Sequence, residues 1–412
     1  MGKPKIRFKG YTEDWEQRKV SEVADICAGG TPSTKIEKYW FPKEIPWLSS
    51  GEVHKKYITY TDNKISVDGL NNSSARMIPE NSVLIALAGQ GKTRGTVAIN
   101  RIPLTTNQSI AAMTFSEEIV PEFVFCNLEN RYEEIRRMSS GDGSRGGLNK
   151  QLVGEIEIPH TSRDEQQKIG AYFSNLDHLI TLHQRKCDET KKLKKCMLQK
   201  MFPRDGEKVP EIRFSGFTGD WKQRKLSEFG IATGGTSIES EFSKDGIYKV
   251  INIGSYSEDG VYRDQGIRAI ESEKTLNRLL NKGDIAMILN DKTSSGNIIG
   301  RVILIEESNV YVYNQRTERI EMDNEKYDSQ FIYTMLNAPE IRNKIIKQSQ
   351  GNTQIYVNWS SISQLEYLLP EINEQRQLGS YFRNLDNIIT FHQQKCDKLK
   401  NIKKFMLQNM FV

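Results

Sequence analysis

Cysteine is scarce and irregularly placed in this sequence, which has five cysteines in 412 residues and no Cys-x-x-Cys pair. This scarcity argues for reduced thiols and against a zinc module, because structural zinc sites need closely spaced cysteine and histidine ligands. The five histidines also form no pair with metal-ligand spacing. The sequence therefore predicts a chain that binds no metal.

Long hydrophobic runs and one catalytic dipeptide are also missing. No stretch approaches the roughly eighteen uncharged apolar residues of a membrane span, and no apolar run follows Met1 as it would in a secretory signal. We therefore expect a cytoplasmic protein without membrane contact. Pro-Pro does not occur, so the Asn- or Asp-Pro-Pro-aromatic loop that an adenine methyltransferase would need is missing.

Charge of one sign is in only slight excess. The chain has 58 basic and 53 acidic residues, a net charge of +5, which alone is weak support for a nucleic-acid partner. Its 412 residues exceed the size of one ordinary hydrophobic core. We therefore expect two or more domains.

The sequence contains a strong internal repeat. IRFKGYTEDWEQRKVSE at 6–22 recurs at 212–228 with twelve of seventeen positions identical, and residues 165–202 recur at 374–411 with twenty-three of thirty-eight identical. The segments between these blocks diverge almost completely. Such a pattern indicates a shared frame that carries two different domains. An old gene duplication followed by sequence divergence explains the similarity of the two halves equally well. It does not explain why one block, 165–202 and 374–411, stayed so similar.

The block at 165–202 and 374–411 has the heptad spacing of a coiled-coil seam with polar interruptions. Some 37 residues would form a helix of roughly 55 Å. A narrow apolar seam cannot be buried by one helix, so we expect the two copies to pair, antiparallel about a pseudo-two-fold axis. The predicted seam comprises Ile169, Phe173, Leu176, Ile180, His183, Leu378, Phe382, Leu385, Ile389 and His392. The two histidines would meet near the axis, or they are unrelated polar residues in an imperfect seam.

The variable segments, roughly 23–160 and 229–370, have the pattern of mixed β structure with short helices. VLIALAG, TVAIN, IGRVILIEE and NVYVYNQ are β-branched runs bounded by Gly, Asn and Pro, which is typical of strands. PEFVFCNLENRYEEIRRM and SQFIYTMLNAPEIRNKIIKQ are typical of amphipathic helices. Each segment is long enough for its own core.

Taken together, these features resemble the specificity subunit of a type I restriction–modification system. The order of motifs along nearly the whole chain supports this resemblance more than any single motif. The motifs are Phe8-x-Gly10-Tyr11-Thr12-x-Asp14-Trp15-x-Gln17-Arg18-Lys19, Gly29-Gly30-Thr31-Pro32-Ser33, Tyr39-Trp40, Ile45-Pro46-Trp47, Asn107-Gln108, Pro159 and Glu165-Gln166. In the second half Ser237 replaces Pro32 and no tryptophan answers Trp47, which suggests a different recognition-domain subtype and half-site.

The resemblance implies an α+β fold with two globular, mixed α/β target recognition domains and two long conserved helices paired as an antiparallel coiled coil. The implied division is a first recognition domain at 1–160, a central helix at 161–204, a second recognition domain at 205–370 and a distal helix at 371–412. Each recognition domain would read one half of a bipartite, asymmetric site in double-stranded DNA, while the helices set the spacing.

The resemblance also implies a chain without catalytic residues or cofactors of its own. In the family, the helices dock two methyltransferase subunits, which use S-adenosylmethionine, and restriction subunits translocate DNA with ATP and magnesium. Basic stretches such as Lys191-Lys192-Leu193-Lys194-Lys195 are then either a solvated helix face or part of that docking surface.

One stretch, VLIALAGQGKTRG at 83–95, satisfies a relaxed P-loop pattern. A P-loop needs a helix that begins at Lys-Thr, whereas RGTVAINRIP favours a strand. The second copy, IAMILNDKT at 285–293, keeps Lys292 and Thr293 and loses both glycines. We therefore predict a basic loop beside a strand, facing DNA or only solvent.

The predicted DNA-contacting residues lie in this loop, in its second copy at 292–294, and in two other loops that contain glycine, SSGDGSRGG at 139–147 and SQGNTQ at 349–354. Glycine lets a backbone approach a groove closely, and Arg, Asn, Gln and Thr contact base edges or phosphates. The set is Lys92, Thr93, Arg94, Ser144, Arg145, Lys292, Thr293, Ser294, Asn352, Thr353 and Gln354. Both glycine loops are alternatively plain connectors.

Three further pairs have alternative interpretations. Asn107-Gln108 and Asn314-Gln315 fit structural hydrogen bonding better than base contact, and Trp40 and Trp47 fit a core better than stacking on DNA.

Two other functions compete with DNA recognition. A self-contained DNA enzyme, such as a P-loop ATPase, would need a nucleotide cradle. A coiled-coil scaffold without a DNA role would leave two dissimilar domains on matching frames unexplained.

Overall fold

The computed structural model describes residues 2–89, 93–138, 147–292 and 295–411. The chain divides into two compact units. Unit 1 comprises residues 1–184 and 394–412, and unit 2 comprises residues 185–393. Unit 1 is thus assembled from two separate parts of the sequence, whereas unit 2 is continuous.

Unit 1 is a mixed α/β structure. Its strands are β1 (Glu16–Lys19), β2 (Ala24–Ala28), β3 (Ile45–Leu48), β4 (Tyr57–Ile58), β5 (Asn63–Ile65), β6 (Val83–Ala86), β7 (Val97–Asn100), β8 (Thr105–Thr106), β9 (Ile110–Phe115) and β10 (Glu157–His160). Its helices are α1 (Val20–Val23), α2 (Val67–Asn71), α3 (Pro121–Asn130), α4 (Tyr132–Arg137), α5 (Lys150–Gly154), the first part of α6 (Arg163–Lys200) and the last part of α11 (Ile372–Met410).

The main sheet of unit 1 has the order β2-β9-β6-β7-β4, antiparallel except for the parallel pair β4–β7. Strand β6 is buried on both faces. Val83 and Ile85 point into the core beneath the helices, while Leu84 and Ala86 point into a second core. Double-sided burial explains the continuous apolar run that the sequence shows here.

Unit 2 repeats this architecture with different details. Its strands are β11 (Lys222–Lys225), β12 (Gly230–Gly234), β13 (Tyr248–Ile251), β14 (Arg268–Ala269), β15 (Ile285–Ile288), β16 (Asn290–Asp291), β17 (Val302–Leu304), β18 (Tyr311–Tyr313), β19 (Thr317–Met322), β20 (Ile355–Tyr356) and β21 (Glu366–Leu369). Its helices are the second part of α6, α7 (Glu273–Leu276), α8 (Ser329–Asn337), α9 (Pro339–Ile346), α10 (Trp359–Ile362) and the first part of α11. The main sheet has the order β12-β19-β15-β17.

The predicted strands and short amphipathic helices are confirmed, but each predicted helix is divided in two. The break between α3 and α4 falls at Arg131, and that between α8 and α9 falls at Ala338. Ala338 has an extended backbone and precedes Pro339, the first residue of α9. A residue before proline is disfavoured in helical conformation, which ends α8 there.

The repeated opening motif has a structural role in each unit. In unit 1, the Arg7 guanidinium donates to both carboxylate oxygens of Glu165 at 2.6 and 2.8 Å, and Trp15 Nε1 donates to the same carboxylate at 3.1 Å. In unit 2, Arg213 makes the same two-bond contact with Glu374 at 2.7 Å. Glu165 and Glu374 are fully buried in the first turn of a long helix. In each unit the motif therefore binds the first turn of a long helix, α6 in unit 1 and α11 in unit 2.

The two predicted long helices are confirmed as α6 and α11. Within the described ranges, no helix has an apolar stretch long enough to span a bilayer. In unit 1, Phe411 stacks on Phe173 at a centroid distance of 6.0 Å. In unit 2, the equivalent Phe202 packs on Phe382 at 6.0 Å. Each unit therefore contains a segment of both long helices.

The predicted seam residues are placed differently from a simple two-helix seam. The buried members pack into the core of a unit, against its short helices as well as against the other long helix. They are Ile169, Phe173 and Leu176 in unit 1, and Leu378, Phe382 and Leu385 in unit 2. Ile180, His183, Ile389 and His392 are half-buried.

Candidate nucleic-acid interface

The connection between β6 and β7 in unit 1 (residues 87–96) carries the Gly-Lys-Thr sequence. Ala86 N donates to Thr96 O at 3.0 Å, and Gly95 N donates to Ala86 O at 2.9 Å. Gly95 has φ +81°, and a Cβ there would meet the backbone of Arg136 in α4 at 3.4 Å. The chain therefore turns back at once into β7 while α4 supports the turn.

This geometry differs from a P-loop. Thr93 and Arg94 lie in the turn, both half-buried, and the next regular element is strand β7. A phosphate cradle needs the amides of a helix N-terminus at this point. Lys92 lies outside the described residues, but the turn and strand that follow it provide no such helix.

A second connection lies beside the first. Residues 138–149 link α4 to α5, and they include the predicted residues Ser144 and Arg145, which lie outside the described part of the chain. Leu148 N donates to Leu87 O at 3.1 Å, and Asn149 caps α5 by accepting a hydrogen bond from Leu152 N. The flanks of the two predicted loops in unit 1 therefore touch.

The equivalent connections in unit 2, residues 289–301 and 347–358, are joined by a short antiparallel ladder. Strand β16 pairs with β20, so that Asn290 lies opposite Tyr356 and Asp291 opposite Ile355. Val357 N donates to Leu289 O at 2.9 Å, as Leu148 does to Leu87 in unit 1. Both units therefore bring the two predicted loops together in the same way.

The predicted DNA-contacting residues of unit 2 that the structure describes are all exposed: Lys292, Asn352, Thr353 and Gln354. Thr293 and Ser294 lie outside the described residues. Gly351 has φ +96°, and a Cβ there would lie 2.2 Å from the carbonyl oxygen of Gln354. Glycine is therefore required for the turn that presents these three polar side chains.

Two buried guanidinium groups hold the base of this surface. Arg342 donates to the carbonyl oxygens of Gly296 and Ile299 at 3.1 and 2.9 Å, and Arg301 donates to Asn337 O at 2.9 Å. Burial, together with the nearby Arg301 charge, lowers the pKa of Arg342 to about 10. Arg342 therefore positions the backbone that follows the Lys-Thr pair in unit 2.

The repeated Asn-Gln pair lies at the same place in each unit. Asn107 N donates to Leu48 O, and Asn314 N donates to Ile251 O, both at 3.0 Å. The Asn314 side chain accepts a hydrogen bond from Ile238 N at 3.1 Å. These contacts give both asparagines the structural role that the sequence favoured.

A family model for the type I restriction modification DNA specificity domain matches this chain twice, at residues 12–192 and 218–401. The chain belongs to this specificity family. Its duplicated architecture thus corresponds to two specificity domains, and the family accounts for most of the sequence.

Curated relatives cover nearly the whole chain. The MjaVIII type I specificity subunit of Methanocaldococcus jannaschii is 22% identical over 405 residues, covering 95% of this chain and 91% of the relative. The MjaIX specificity subunit of the same organism is 25% identical, with coverage of 97% and 93%. The chain is therefore a DNA specificity subunit of a type I restriction–modification system.

The fold agrees with a solved member of the family. A crystal structure of a type I restriction–modification S subunit from M. genitalium superposes with a TM-score of 0.69 at 14% sequence identity, covering 100% of this chain and 99% of the other. At this identity the comparison concerns the fold alone. It supports two mixed α/β repeats with two long helices.

In this specificity subunit, the helix segments of unit 1 meet through a buried ion cluster. Lys403 Nζ in α11 lies 2.6 Å from Asp177 Oδ2 in α6 and 2.6 Å from Glu129 Oε2 in α3. Burial alone would lower the pKa of Lys403, but Glu129 and Asp177 outweigh it and raise that pKa. Cys396 Sγ also lies 3.5 Å from Gln184 Oε1. Within unit 1, α6 and α11 therefore run in opposite directions.

Unit 2 has a less buried version of the same contact. Lys194 in α6 lies 2.6 Å from Asp386 in α11, and their side chains are 24% and 35% exposed. Cys187 Sγ lies 3.7 Å from Gln393 Oε1. The direction is again antiparallel, and the ion pair is more open to solvent than its counterpart in unit 1.

The tryptophans of the specificity subunit that were candidates for stacking on DNA belong to a small core. Trp47 is 8% exposed and donates to Gly30 O at 3.0 Å. Trp40 packs against it edge to face at 5.3 Å and donates to Ser33 O. Neither ring is presented as a free stacking surface.

A cleft of about 1450 Å³ in unit 2 lies between the second part of α6 and helices α8 and α9. Its lining includes Lys191, Lys195 and Lys344, but also Glu340 and Glu366. Because both signs of charge alternate, the cleft lacks the continuous basic stripe typical of a phosphate-binding surface. Across the described ranges, no group of three potential metal ligands occurs.

Proposed function

We propose that each unit reads one half of a bipartite, asymmetric DNA site through its two adjoining connections. The observation that carries this proposal is the repetition of one backbone arrangement with different side chains at its tip. Leu87 and Leu289 make equivalent hydrogen bonds in units 1 and 2, yet the exposed residues that follow differ. Identical supports with dissimilar contact residues would give two unlike half-sites.

The proposed residue roles follow from side-chain chemistry. Lys92, Arg94 and Lys292 would contact phosphates or guanine, and Asn352 and Gln354 would contact adenine or phosphate. The proposed surface also includes Thr93, Thr353 and four residues that lie outside the described ranges: Ser144, Arg145, Thr293 and Ser294.

The two long helices would act as an antiparallel coiled coil that fixes the spacing. Helix α6 has 38 residues, about 57 Å at 1.5 Å per residue. A rod of this length spans more than the roughly 34 Å of one DNA turn, the distance over which two recognition elements meet the same face of a duplex. The helices would also dock two methyltransferase subunits, with Lys191 and Lys195 on the exposed face.

The chemistry would reside in partner subunits. Methyltransferase subunits would supply S-adenosylmethionine-dependent methylation, and restriction subunits would supply ATP- and magnesium-dependent translocation and cleavage. This chain would contribute specificity, since the site that it builds consists of phosphate- and base-contacting groups rather than a nucleophile or acid–base pair.

The decisive experiment exchanges residues 23–160 for the equivalent segment of a relative. The chimaera, assembled with its methyltransferase subunits, should methylate a target in which one half has changed while the other half and the spacer remain. Methylated adenines mapped across a genome would measure this. A target changed in both halves, or unchanged, would contradict the proposal.

A further inference from the structure

Arg316 occupies a strained turn between β18 and β19 in unit 2. Its φ is +73°, a left-handed conformation that is uncommon for residues other than glycine and carries a conformational cost. The side chain is exposed, as is that of Gln315 before it. Strain of this kind persists only where surrounding contacts impose it. The contacts around the turn therefore show how this conformation is maintained.

Hydrogen bonds hold this turn on both sides. Asn314 is fixed by Ile251 O and Ile238 N, as described above. Arg316 O accepts a hydrogen bond from Leu289 N at 2.9 Å, and Thr317 O accepts one from Gly235 N at 2.8 Å. The backbone of Arg316 is therefore held in place before any ligand arrives.

Leu289 places Arg316 at the centre of the candidate surface. The amide of Leu289 bonds to Arg316, while its carbonyl accepts the hydrogen bond from Val357. Leu289 also opens the segment that leads to Lys292. The turn thus lies at the junction of the two predicted loops and forms a third element of the surface.

The guanidinium of Arg316 has no hydrogen-bond or ion-pair partner among the residues that the structure describes. Nearby Asp291 is buried, and its carboxylate accepts a hydrogen bond from Ile298 N at 3.0 Å. Two other arginines of unit 2 are paired: Arg268 with Asp264 at 2.8 Å and Arg383 with Glu306 at 3.2 Å. Arg316 therefore presents an uncommitted cation on a rigid support.

The position in unit 1 that makes the equivalent hydrogen bond carries a different residue. Ser109 O accepts the hydrogen bond from Leu87 N at 2.8 Å, as Arg316 O does from Leu289 N. The Gln that precedes this position is the same in both units, whereas the residue itself changes from Ser109 to Arg316. A position that keeps one backbone hydrogen bond and changes its side chain is what two different specificities require.

We propose that Arg316 contacts a guanine in the half-site read by unit 2, through paired hydrogen bonds to O6 and N7 in the major groove. Arginine is the side chain that most often makes this contact, and a pre-positioned backbone favours its two-bond geometry. The inference rests on the proposed function and adds a third recognition element that the motif-bearing loops do not include.

The test uses Arg316→Asn in the full chain, assembled with its methyltransferase subunits. Asparagine tolerates the left-handed conformation, so the turn is retained while the guanidinium is lost. Binding is measured against DNA libraries in which each position of the target is randomised. We expect discrimination at one G·C position of one half-site to fall about 10- to 100-fold. Arg268→Gln is the matched control and should leave discrimination unchanged.

Two results would overturn the inference. Uniform loss of affinity with a reduced salt dependence would indicate a phosphate contact, and unchanged discrimination would indicate no base contact. Discrimination at the other half-site, which unit 1 reads, serves as the folding control. If it is retained, the variant is folded and assembled. Because the exchange of residues 23–160 leaves Arg316 intact, its outcome tests the proposed function separately.

Discussion

Glu318 is a buried carboxylate in β19 that lacks a counter-charge within the described structure. It is 5% exposed, and burial raises its pKa to about 7. Its counterpart in the other unit is Ala111, on the strand equivalent to β19. Unit 2 thus keeps a desolvated acid where unit 1 has a methyl group, and this difference has a measurable consequence.

Glu318→Gln should stabilise unit 2 at pH 8 and have little effect at pH 5. A carboxyl with a raised pKa in the folded state is protonated without penalty below its unfolded pKa, and stability falls as pH rises towards the folded pKa. The expected gain at pH 8 is roughly 1–3 kcal/mol, since one pKa unit corresponds to about 1.4 kcal/mol.

Denaturant unfolding at the two pH values measures this effect. The exposed Glu325→Gln is the matched control. An equal gain for Glu318→Gln at both pH values would show that side-chain packing, and not ionisation, causes the change.

Lys403 and Lys194 occupy equivalent positions in different environments. Lys403 is 8% exposed and bonds to two carboxylates, whereas Lys194 is 24% exposed and bonds to one. Lys403→Met should destabilise unit 1 by about 3–5 kcal/mol, because Asp177 is left buried without a counter-charge and Glu129 keeps only that of Lys56. Lys194→Met should cost less than about 1 kcal/mol.

Hydrogen exchange of peptides from each unit measures both variants at once. Equal effects would contradict the argument from burial.

Lys56 and Lys403 outweigh the effect of burial and lower the pKa of Glu129 in the folded state. The ionised Glu129 therefore stabilises unit 1 at pH values above the pKa that this residue has in the unfolded chain. This stabilisation should be lost as pH falls through the lowered folded value.

At the scale of elements, the turn at Gly351 offers a test of how strictly the loop backbone is set. Gly351→Ala should distort the turn that presents Asn352, Thr353 and Gln354, because a Cβ would overlap the carbonyl oxygen of Gln354 at 2.2 Å. We expect discrimination at one half-site to fall, together with a stability loss of about 1–2 kcal/mol or more from the left-handed conformation.

Gly266→Ala is the matched control for this variant. Gly266 also has a positive φ, +73°, but its Cβ would meet nothing within 4 Å. The control therefore carries the conformational cost without the overlap. If both variants behave alike in DNA discrimination, the overlap has no functional role.

Local sequence predicted those elements whose determinants are local. The apolar run at β6 and the heptads of α6 and α11 are visible in the sequence, and the structure contains them. The Arg7–Glu165 contact follows from a repeat but could not be derived, since 158 residues separate its partners. The division of one predicted helix at Ala338 has a local signal in the sequence, because the residue before a proline such as Pro339 is disfavoured in a helix.

Arg316 shows which part of the proposed surface local sequence does not predict. The repeated Asn-Gln pair was interpreted as structural hydrogen bonding, and the left-handed φ of the next residue depends on contacts with Leu289 and Gly235, which are distant in sequence. The predicted basic loops were selected because glycine and lysine are conspicuous. A lone arginine after a β strand gives no comparable signal.

At the scale of the whole molecule, the charge balance bears on how DNA is held. A net charge of +5 on 412 residues is modest for a protein that makes six to ten phosphate contacts on its own. We therefore expect the isolated chain to bind specific DNA weakly, and the methyltransferase subunits to supply part of the phosphate contact.

Titrations of the isolated chain and of the assembled complex at several salt concentrations measure this division. The complex should show the steeper fall of affinity with salt, with a slope of about 0.9 per phosphate contacted. Tight binding by the isolated chain, with the same slope as the complex, would contradict it.

The completion of the unit 1 core by Leu407, Met410 and Phe411 has a consequence for biosynthesis. Residues 2–184 emerge from the ribosome long before residues 394–411, and the whole of unit 2 is translated in between. Unit 1 is therefore synthesised first, but its core can be completed only after unit 2 has been synthesised. Until then, the apolar surface around Phe123 and Phe173 is not covered by Phe411. Folding of the two units should therefore finish in the reverse of their order of synthesis.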